Sequence, residues 1–479
     1  MDEVDKAPLF EALMNWKESR PVSYHVPGHK NGIVFSTYQG ADEVYKSLLE
    51  IDATELTGLD DLHAADGPIR KAEELTADLY GSIDSRFLVG GSTAGNLAML
   101  MAICKEGDYV FVQKNCHKSI WNGLRLSKAN PIFLSPELEP DSQVATGITL
   151  ALLQKALVLY PEVKVIVLTN PNYYGMSRNL KEIISYAHDN GVSVLVDEAH
   201  GAHFVNDAYF PGSAIRQGAD VVVHSAHKTL PAMTMGSYLH IGNDTYRDAI
   251  NDYLQIFQSS SPSYPIMASL DLARLYLASL SEGDIEQILD GIRMIKRQLG
   301  KMNGVKVIGE FSTAFERLDP LKLTVQIDGL TGYELARKLE QEGIFVELAD
   351  PLNVLLVLPL AFVPEQFKET IEAFERIVSK QQQPRKAFPF HNLVGEDITT
   401  PAYSFVKLET MTKKQIELKG AAHLVAARAI IPYPPGIPVV MPGERLSTDV
   451  IRLLEAVVQG GGHVQGMKEN TIEIAIEEE

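Results

Sequence analysis

The chain has 479 residues, more than one hydrophobic core usually supports, so two or three domains are expected. Apolar residues make up 45% and charged residues 22%, which is ordinary for a globular protein and argues against disorder. With 43 Lys+Arg against 62 Asp+Glu the net charge is −19, a surface that repels nucleic acid and anionic membrane, so neither is an expected partner.

Two cysteines, Cys104 and Cys116, allow at most one bridge and no Cys-only zinc site, and a reduced, cytoplasmic setting is the expectation. The start, Met1-Asp-Glu-Val-Asp-Lys6, is acidic with no apolar run behind it, so no secretory or transit signal is expected. No stretch approaches the roughly 18 apolar residues of a membrane helix.

In chain order, Pro8-Leu9-Phe10 to Trp16 has helical spacing. Tyr24-His25-Val26-Pro27-Gly28-His29-Lys30 is too rich in Pro and Gly for a regular element. From about Gly67, helical stretches alternate with β-branched apolar runs at 86–89, 109–112, 131–134, 163–169, 192–196 and 220–223. Such runs, separated by helices, predict buried parallel strands covered on both faces, the doubly wound α/β arrangement. A Ser259-Ser-Ser-Pro-Ser-Tyr-Pro265 break lies within the helical region 251–274. Residues 285–380 mix long helices with strands at 321–327 and 354–358, which predicts a smaller α+β domain. Gln381-Gln-Gln-Pro-Arg-Lys386 is a linker candidate. The remainder has helices of its own and the Pro-rich Ile431-Pro-Tyr-Pro-Pro-Gly-Ile-Pro438. The expected division is an N-terminal helix and active-site segment (1–60), a large domain (61–275), a small α+β domain (276–380) and a C-terminal domain (385–479).

Ligands of open parallel sheets bind beyond the carboxyl ends of the strands, and four strand ends here are unusually polar. Gly90-Gly91-Ser92-Thr93-Ala94-Gly95-Asn96 opens a helix, so its free N–H groups and hydroxyls suit a phosphate cradle or, equally, an N-cap with a tight turn. No Lys follows where a Walker loop needs one. His117, in Asn115-Cys-His-Lys-Ser119, suits either a ring stacked on an aromatic ligand or a solvated loop. Asp197, closing an apolar strand, needs a cationic partner such as a protonated pyridine nitrogen, or caps the next helix. Lys228, in Val223-His-Ser-Ala-His-Lys-Thr229, either forms a Schiff base or snorkels to solvent. Taken together, the four supply what a phosphorylated pyridine aldehyde needs: an anion anchor, a stacking ring, an acid for the ring nitrogen and an amine.

Several segments in order resemble the Orn/Lys/Arg decarboxylase family of fold-type-I, aspartate-aminotransferase-like pyridoxal 5'-phosphate (PLP) enzymes. They are His25-Val-Pro-Gly-His-Lys30, Leu59-Asp-Asp-Leu-His63, Gly91-Ser-Thr-Ala-Gly-Asn96, Asn115-Cys-His-Lys-Ser119, Val196-Asp-Glu-Ala-His-Gly201, Ser225-Ala-His-Lys228, Ser259-Ser-Ser-Pro-Ser-Tyr-Pro265 and Tyr433-Pro-Pro-Gly-Ile-Pro438. The resemblance implies a large PLP-binding domain with a mainly parallel sheet of the seven-stranded type, a smaller α+β domain and a C-terminal α+β domain. It assigns Lys228 to carrying PLP as an imine, with His227 beside it, His117 stacked on the ring and Asp197 at the ring nitrogen. Ser92, Thr93 and Ser225 match phosphate ligands, and Ala94, Ala199, His200, Ser260 and Ser261 complete the expected cofactor site. The run 259–261 resembles a segment reaching a neighbouring subunit's site, which implies a homodimer or larger homo-oligomer.

The chain departs from the large enterobacterial members in two places. Its first motif arrives by residue 25, so no receiver-like domain is expected before it, and His200 stands where those members often carry Trp. The implied reaction is decarboxylation of a basic L-amino acid, arginine favoured over lysine or ornithine, to an amine feeding polyamine synthesis. The bond to the carboxylate would lie perpendicular to the cofactor ring, and Lys228 or His227 would return a proton to Cα. Glu444 and His29 are the candidate contacts for the substrate. The competing readings are an aminotransferase or C–S lyase sharing Lys228 and Asp197, a non-catalytic binding protein on the same scaffold, and a zinc hydrolase built on the pairs His25/His29, His200/His203 and His224/His227. The last lacks an HExxH helix or a recognisable ligand spacing, and no metal site is expected.

Overall fold

The computed structural model describes residues 6–34, 39–309, 312–380, 397–433, 438–459 and 462–477. The linker candidate 381–386, the Pro-rich positions 434–437 and the first five residues lie outside the described residues. In chain order, the elements used below are α1 (Pro8–Glu18), α2 (Pro68–Tyr80), β1 (Asp84–Leu88), α3 (Gly91–Ile103), β2 (Tyr109–Gln113), α4 (Lys118–Ser127), β3 (Asn130–Leu134), β4 (Val165–Thr169), β5 (Ser193–Asp197), β6 (Val221–His224), β7 (Ser237–Ile241), α5 (Arg247–Phe257) and α6 (Tyr264–Ser279). Each of the six apolar runs forms a strand.

The chain divides into two compact units, Met1–Ile103 with Leu195–Ser281, and Cys104–Val194 with Glu282–Glu479. In the first, the strand order is β1-β7-β6-β5. β5 and β6 are parallel, with Asp197 opposite Val223. β7 runs antiparallel to both β6 and β1, so one reversed strand interrupts a set that otherwise shares a direction. β7 escapes the sequence pattern because all five of its residues are buried, yet Ser237 and His240 break its apolar run. Helix α1 is pinned to this unit by more than its buried Leu9 and Leu13. The Leu9 and Phe10 N–H groups donate to Asp271 Oδ2 at 2.9 and 3.4 Å, and Arg274 Nη2 lies 2.9 Å from Asp271 Oδ1. Asp271 and Arg274 are both fully buried on α6, so the acid meets a free helix N-terminus and a guanidinium together.

The second unit carries β2 between β3 and β4, all three parallel, with Ile398–Thr399 antiparallel on β3. A four-stranded antiparallel sheet includes Lys322–Ile327 and Val354–Val357, near the strands expected for the small α+β domain. The long helices Glu282–Gly300 and Pro364–Ser379 belong to the same unit. Thr412–Glu417 and Thr471–Ile476 pair antiparallel, and Leu446, Leu454 and Ile472 centre a separate apolar core there. Among the described residues no helix is long and apolar enough to cross a membrane.

The approach of α3 to the sheet rests on two glycines. Gly91 turns the chain from β1 into the helix at φ +75°, a left-handed conformation that costs glycine nothing. Gly95 faces the sheet so closely that a Cβ would lie 2.7 Å from Leu88 Cδ1 and 3.1 Å from Val223 Cγ1. Gly95→Ala must therefore push α3 off the strands, and urea unfolding should register a loss of about 1–3 kcal/mol.

Candidate active site

Alternation along a strand decides which side chains share a face. Asp197 is the register partner of Val223, and Val223 touches α3 at Gly95, so Asp197 also faces α3. There its carboxylate, only 3% exposed, accepts from Asn96 Nδ2 at 3.0 Å and from the Ala199 N–H at 3.2 Å. One strand over, Ser225 follows the end of β6, and its hydroxyl donates to Ser92 Oγ at 2.8 Å. Ser92 and Thr93 occupy the first turn of α3, with Ser92 half-buried and Thr93 exposed, beside N–H groups that have no partner within the helix. Ala94 and Ala199 are buried against these turns.

Lys228 lies on the single helical turn Ala226–Thr229 that follows β6. Its half-buried side chain brings Nζ to 3.0 Å from Nε2 of His200, which is 5% exposed. His227 places Nδ1 2.9 Å from the Gly236 carbonyl, which must accept, so that nitrogen carries the proton and Nε2 is left as the basic one. The first unit thus brings together Ser92, Thr93, Asp197, His200, Ser225, His227 and Lys228 from residues far apart in sequence.

The other expected site residues have different settings. His29 Nε2 lies 3.1 Å from Asp52 Oδ2. Ser260 and Ser261 are exposed, and the Ser259 carbonyl is 2.8 Å from His63 Nε2. In the second unit, His117 caps α4 by accepting from the Ser119 N–H at 3.3 Å. Glu444, 7% exposed, has its carboxylate taken up by Lys114 Nζ at 2.9 Å and by the Met441 N–H at 2.9 Å. Among the described residues no three His, Cys, Asp or Glu side chains gather as a metal-ligand set.

Sequence reading gave no role to Asn96, although its signal is plain afterwards: it is the one amide in the apolar helix stretch Gly95-Asn96-Leu97-Ala98-Met99. Asn96→Ala should cost about 1–3 kcal/mol in chemical denaturation, because it removes a donor from a buried carboxylate.

The sequence matches the Orn/Lys/Arg decarboxylase major domain over residues 7–315 and the Orn/Lys/Arg decarboxylase C-terminal domain over residues 380–479. It is 44% identical to the uncharacterized protein YaaO of Bacillus subtilis (strain 168), over 98% of this chain and 99% of that one. It is 31% identical to an arginine decarboxylase of the same organism, over 98% of this chain and 96% of that one. In three dimensions it is similar to the constitutive lysine decarboxylase of E. coli with a TM-score of 0.80 at 20% identity, over 98% of this chain and 82% of that one, a likeness of fold. The ordered motifs, the strand-end cluster and these matches agree: the chain belongs to the Orn/Lys/Arg decarboxylase family and has the fold-type-I, aspartate-aminotransferase-like architecture.

Proposed function

We propose that this chain is a PLP-dependent decarboxylase of a basic L-amino acid, with arginine the favoured substrate and lysine or ornithine the alternatives. The observation that carries the reading is that Asp197 ends β5, Ser92 follows β1 and meets Ser225 just after β6, and Lys228 lies on the turn that Ser225 opens. Arginine is favoured because a relative 31% identical along nearly the whole chain is an arginine decarboxylase.

The donor set fits PLP. Ser92, Thr93, Ser225 and the first turn of α3 offer hydroxyls and N–H groups to a phosphate. Asp197 is buried and already accepts two donors, a setting that keeps a carboxylate available to a protonated ring nitrogen. Lys228 supplies the primary amine, and His117 would cover the ring face. When bound, PLP supplies an aldehyde for the substrate amine and a ring that takes up the electron pair left as CO2 departs.

The chain's own residues do the rest. Asp197, held by Asn96, keeps the proton on the ring nitrogen. Lys228, or His227 once its Nε2 has taken up a proton, would return a proton to Cα. His200 holds the Lys228 amine in place. Glu444 would contact the substrate's cationic end only by exchanging Lys114 for it, and His29 is a second candidate contact. Ser260 and Ser261 would complete the cofactor site of a neighbouring subunit in a homodimer or larger homo-oligomer. Ala94 and Ala199 would line the cofactor.

In this reading the N-terminal segment (1–60) serves the large domain (61–275), the small domain (276–380) and the C-terminal domain (385–479) follow, and the enzyme works in the cytoplasm, its amine product feeding polyamine synthesis. Protein purified with PLP should absorb in the visible range and release CO2 from arginine, lysine or ornithine without forming a keto acid. Lys228→Ala should lose the band and lower turnover by roughly 10²–10⁴-fold or more. A variant retaining both, or keto acid without CO2, would overturn the reading.

A further inference from the structure

Behind the strand ends, on the face opposite Asp197, a line of fully buried polar side chains crosses the first unit's strands in their order. Ser85 on β1 lies 2.7 Å from His240 Nδ1 on β7. His240 Nε2 lies 3.0 Å from Nδ1 of His224, the last residue of β6, and His224 Nε2 lies 2.7 Å from Glu198 Oε2, one residue beyond β5. At the far end Glu198 accepts from Ser213 Oγ at 2.6 Å and from the Ala214 N–H at 2.9 Å. At the near end Ser85 Oγ lies 2.9 Å from Oγ of the half-buried Ser82. The Tyr80 ring covers both imidazoles, with centroids 5.1 Å from His224 and 4.4 Å from His240.

This line also ties the site together. Glu198 follows Asp197 directly, and His224 precedes Ser225. The Glu198–His224 bond, with the Glu198 N–H to the Val223 carbonyl at 3.0 Å, clamps the strand ends that present Asp197 and Ser225.

The charges behave differently along it. Burial pushes His224 down to about 3 and His240 down as well, so both rings stay neutral at ordinary pH. Burial pushes the Glu198 carboxyl up to about 8, against the lowering effects of Ser213, the Ala214 N–H and His203, and with Asp207 adding to the rise. His224, Tyr80, His203, Asp207, Ser213 and Asp197 are the titratable and polar groups around this carboxyl.

We propose that Glu198 is a positioning residue for the cofactor site and that the Glu198–His224–His240–Ser85 line is a proton relay that makes the hold on PLP pH-dependent. The proposal rests on the reading that Asp197 and Ser225 hold PLP. With Glu198 protonated, its O–H donates to His224 Nε2, and the donors run from His224 Nδ1 to His240, and from His240 Nδ1 to Ser85. When the proton leaves, Glu198 gives it to His224 Nε2. His224 Nδ1 passes its own proton to His240 Nε2, His240 Nδ1 passes one to Ser85, and Ser85 passes one through Ser82 to solvent water. Each ring ends neutral in its other tautomer, and the only new charge is the Glu198 carboxylate.

The sign follows from that charge. Below its ionisation Glu198 is a neutral clamp and the hold is full. Above it, a second negative charge sits behind Asp197 and against His224, the residue before Ser225, and the hold on a phosphate-bearing ligand weakens as pH rises through about 8.

The test has two readouts. In ¹⁵N-histidine NMR of the full chain, two neutral imidazoles should exchange tautomer together near pH 8 and never become cationic between pH 5 and 9. In titrations of the apoprotein with PLP followed by absorbance, affinity should fall about tenfold between pH 7 and 9. Glu198→Gln keeps a donor and an acceptor but cannot ionise, and it should abolish both the tautomer exchange and the alkaline fall. Ser213→Ala removes a donor to the carboxylate and should move both transitions to higher pH. Glu198→Ala, if it folds, should weaken PLP at every pH. A Glu198→Gln profile like that of the wild type, or imidazoles that protonate in this range, would overturn the proposal. Wild-type protein that binds no PLP at any pH would instead overturn the reading beneath it, and the proposal with it.

Discussion

A carboxylate buried at the end of a parallel strand is the constraint around which this fold is arranged. Asp197 is 3% exposed, and burying its carboxylate there requires hydrogen-bond donors. Asn96 supplies one, which requires α3 to sit hard against the sheet at Leu88 of β1 and Val223 of β6. That approach in turn requires Gly95, where any side chain would meet Leu88 and Val223. The same docking brings the first turn of α3, with Ser92, up to Ser225. One polar contact and one missing Cβ therefore fix where Asp197 and the Ser92–Ser225 pair sit, and Lys228 follows on the short turn after β6.

The two faces of these strands divide the work. The α3 face carries groups able to meet a ligand. The opposite face carries Ser85, His240, His224 and Glu198, linked to one another in a line. Neighbouring residues, Asp197 beside Glu198 and Ser225 beside His224, alternate between the two. A change of charge on that face is thus felt one residue away on the α3 face, without any movement of backbone being needed.

Much of this was legible in the chain because the signals are local. Apolar runs announce strands, and the polar residues at their ends stand out against them. The reversed strand β7 was not legible, because Ser237 and His240 interrupt its pattern and their burial is set by partners on β1 and β6. Asn96 and Glu198 lie inside recognisable motifs, but what each touches depends on register and helix docking rather than on spacing. Glu444 shows the converse: the residue stood out in the sequence, while its partner Lys114 lies 330 residues away.

In the proposed function one particular amine, that of Lys228, binds the cofactor. The direct measurement is borohydride reduction of the PLP-loaded protein followed by peptide mass mapping. The account requires a phosphopyridoxyl group on the peptide containing Lys228 and on no other lysine. Its attachment elsewhere, or nowhere, would contradict the account.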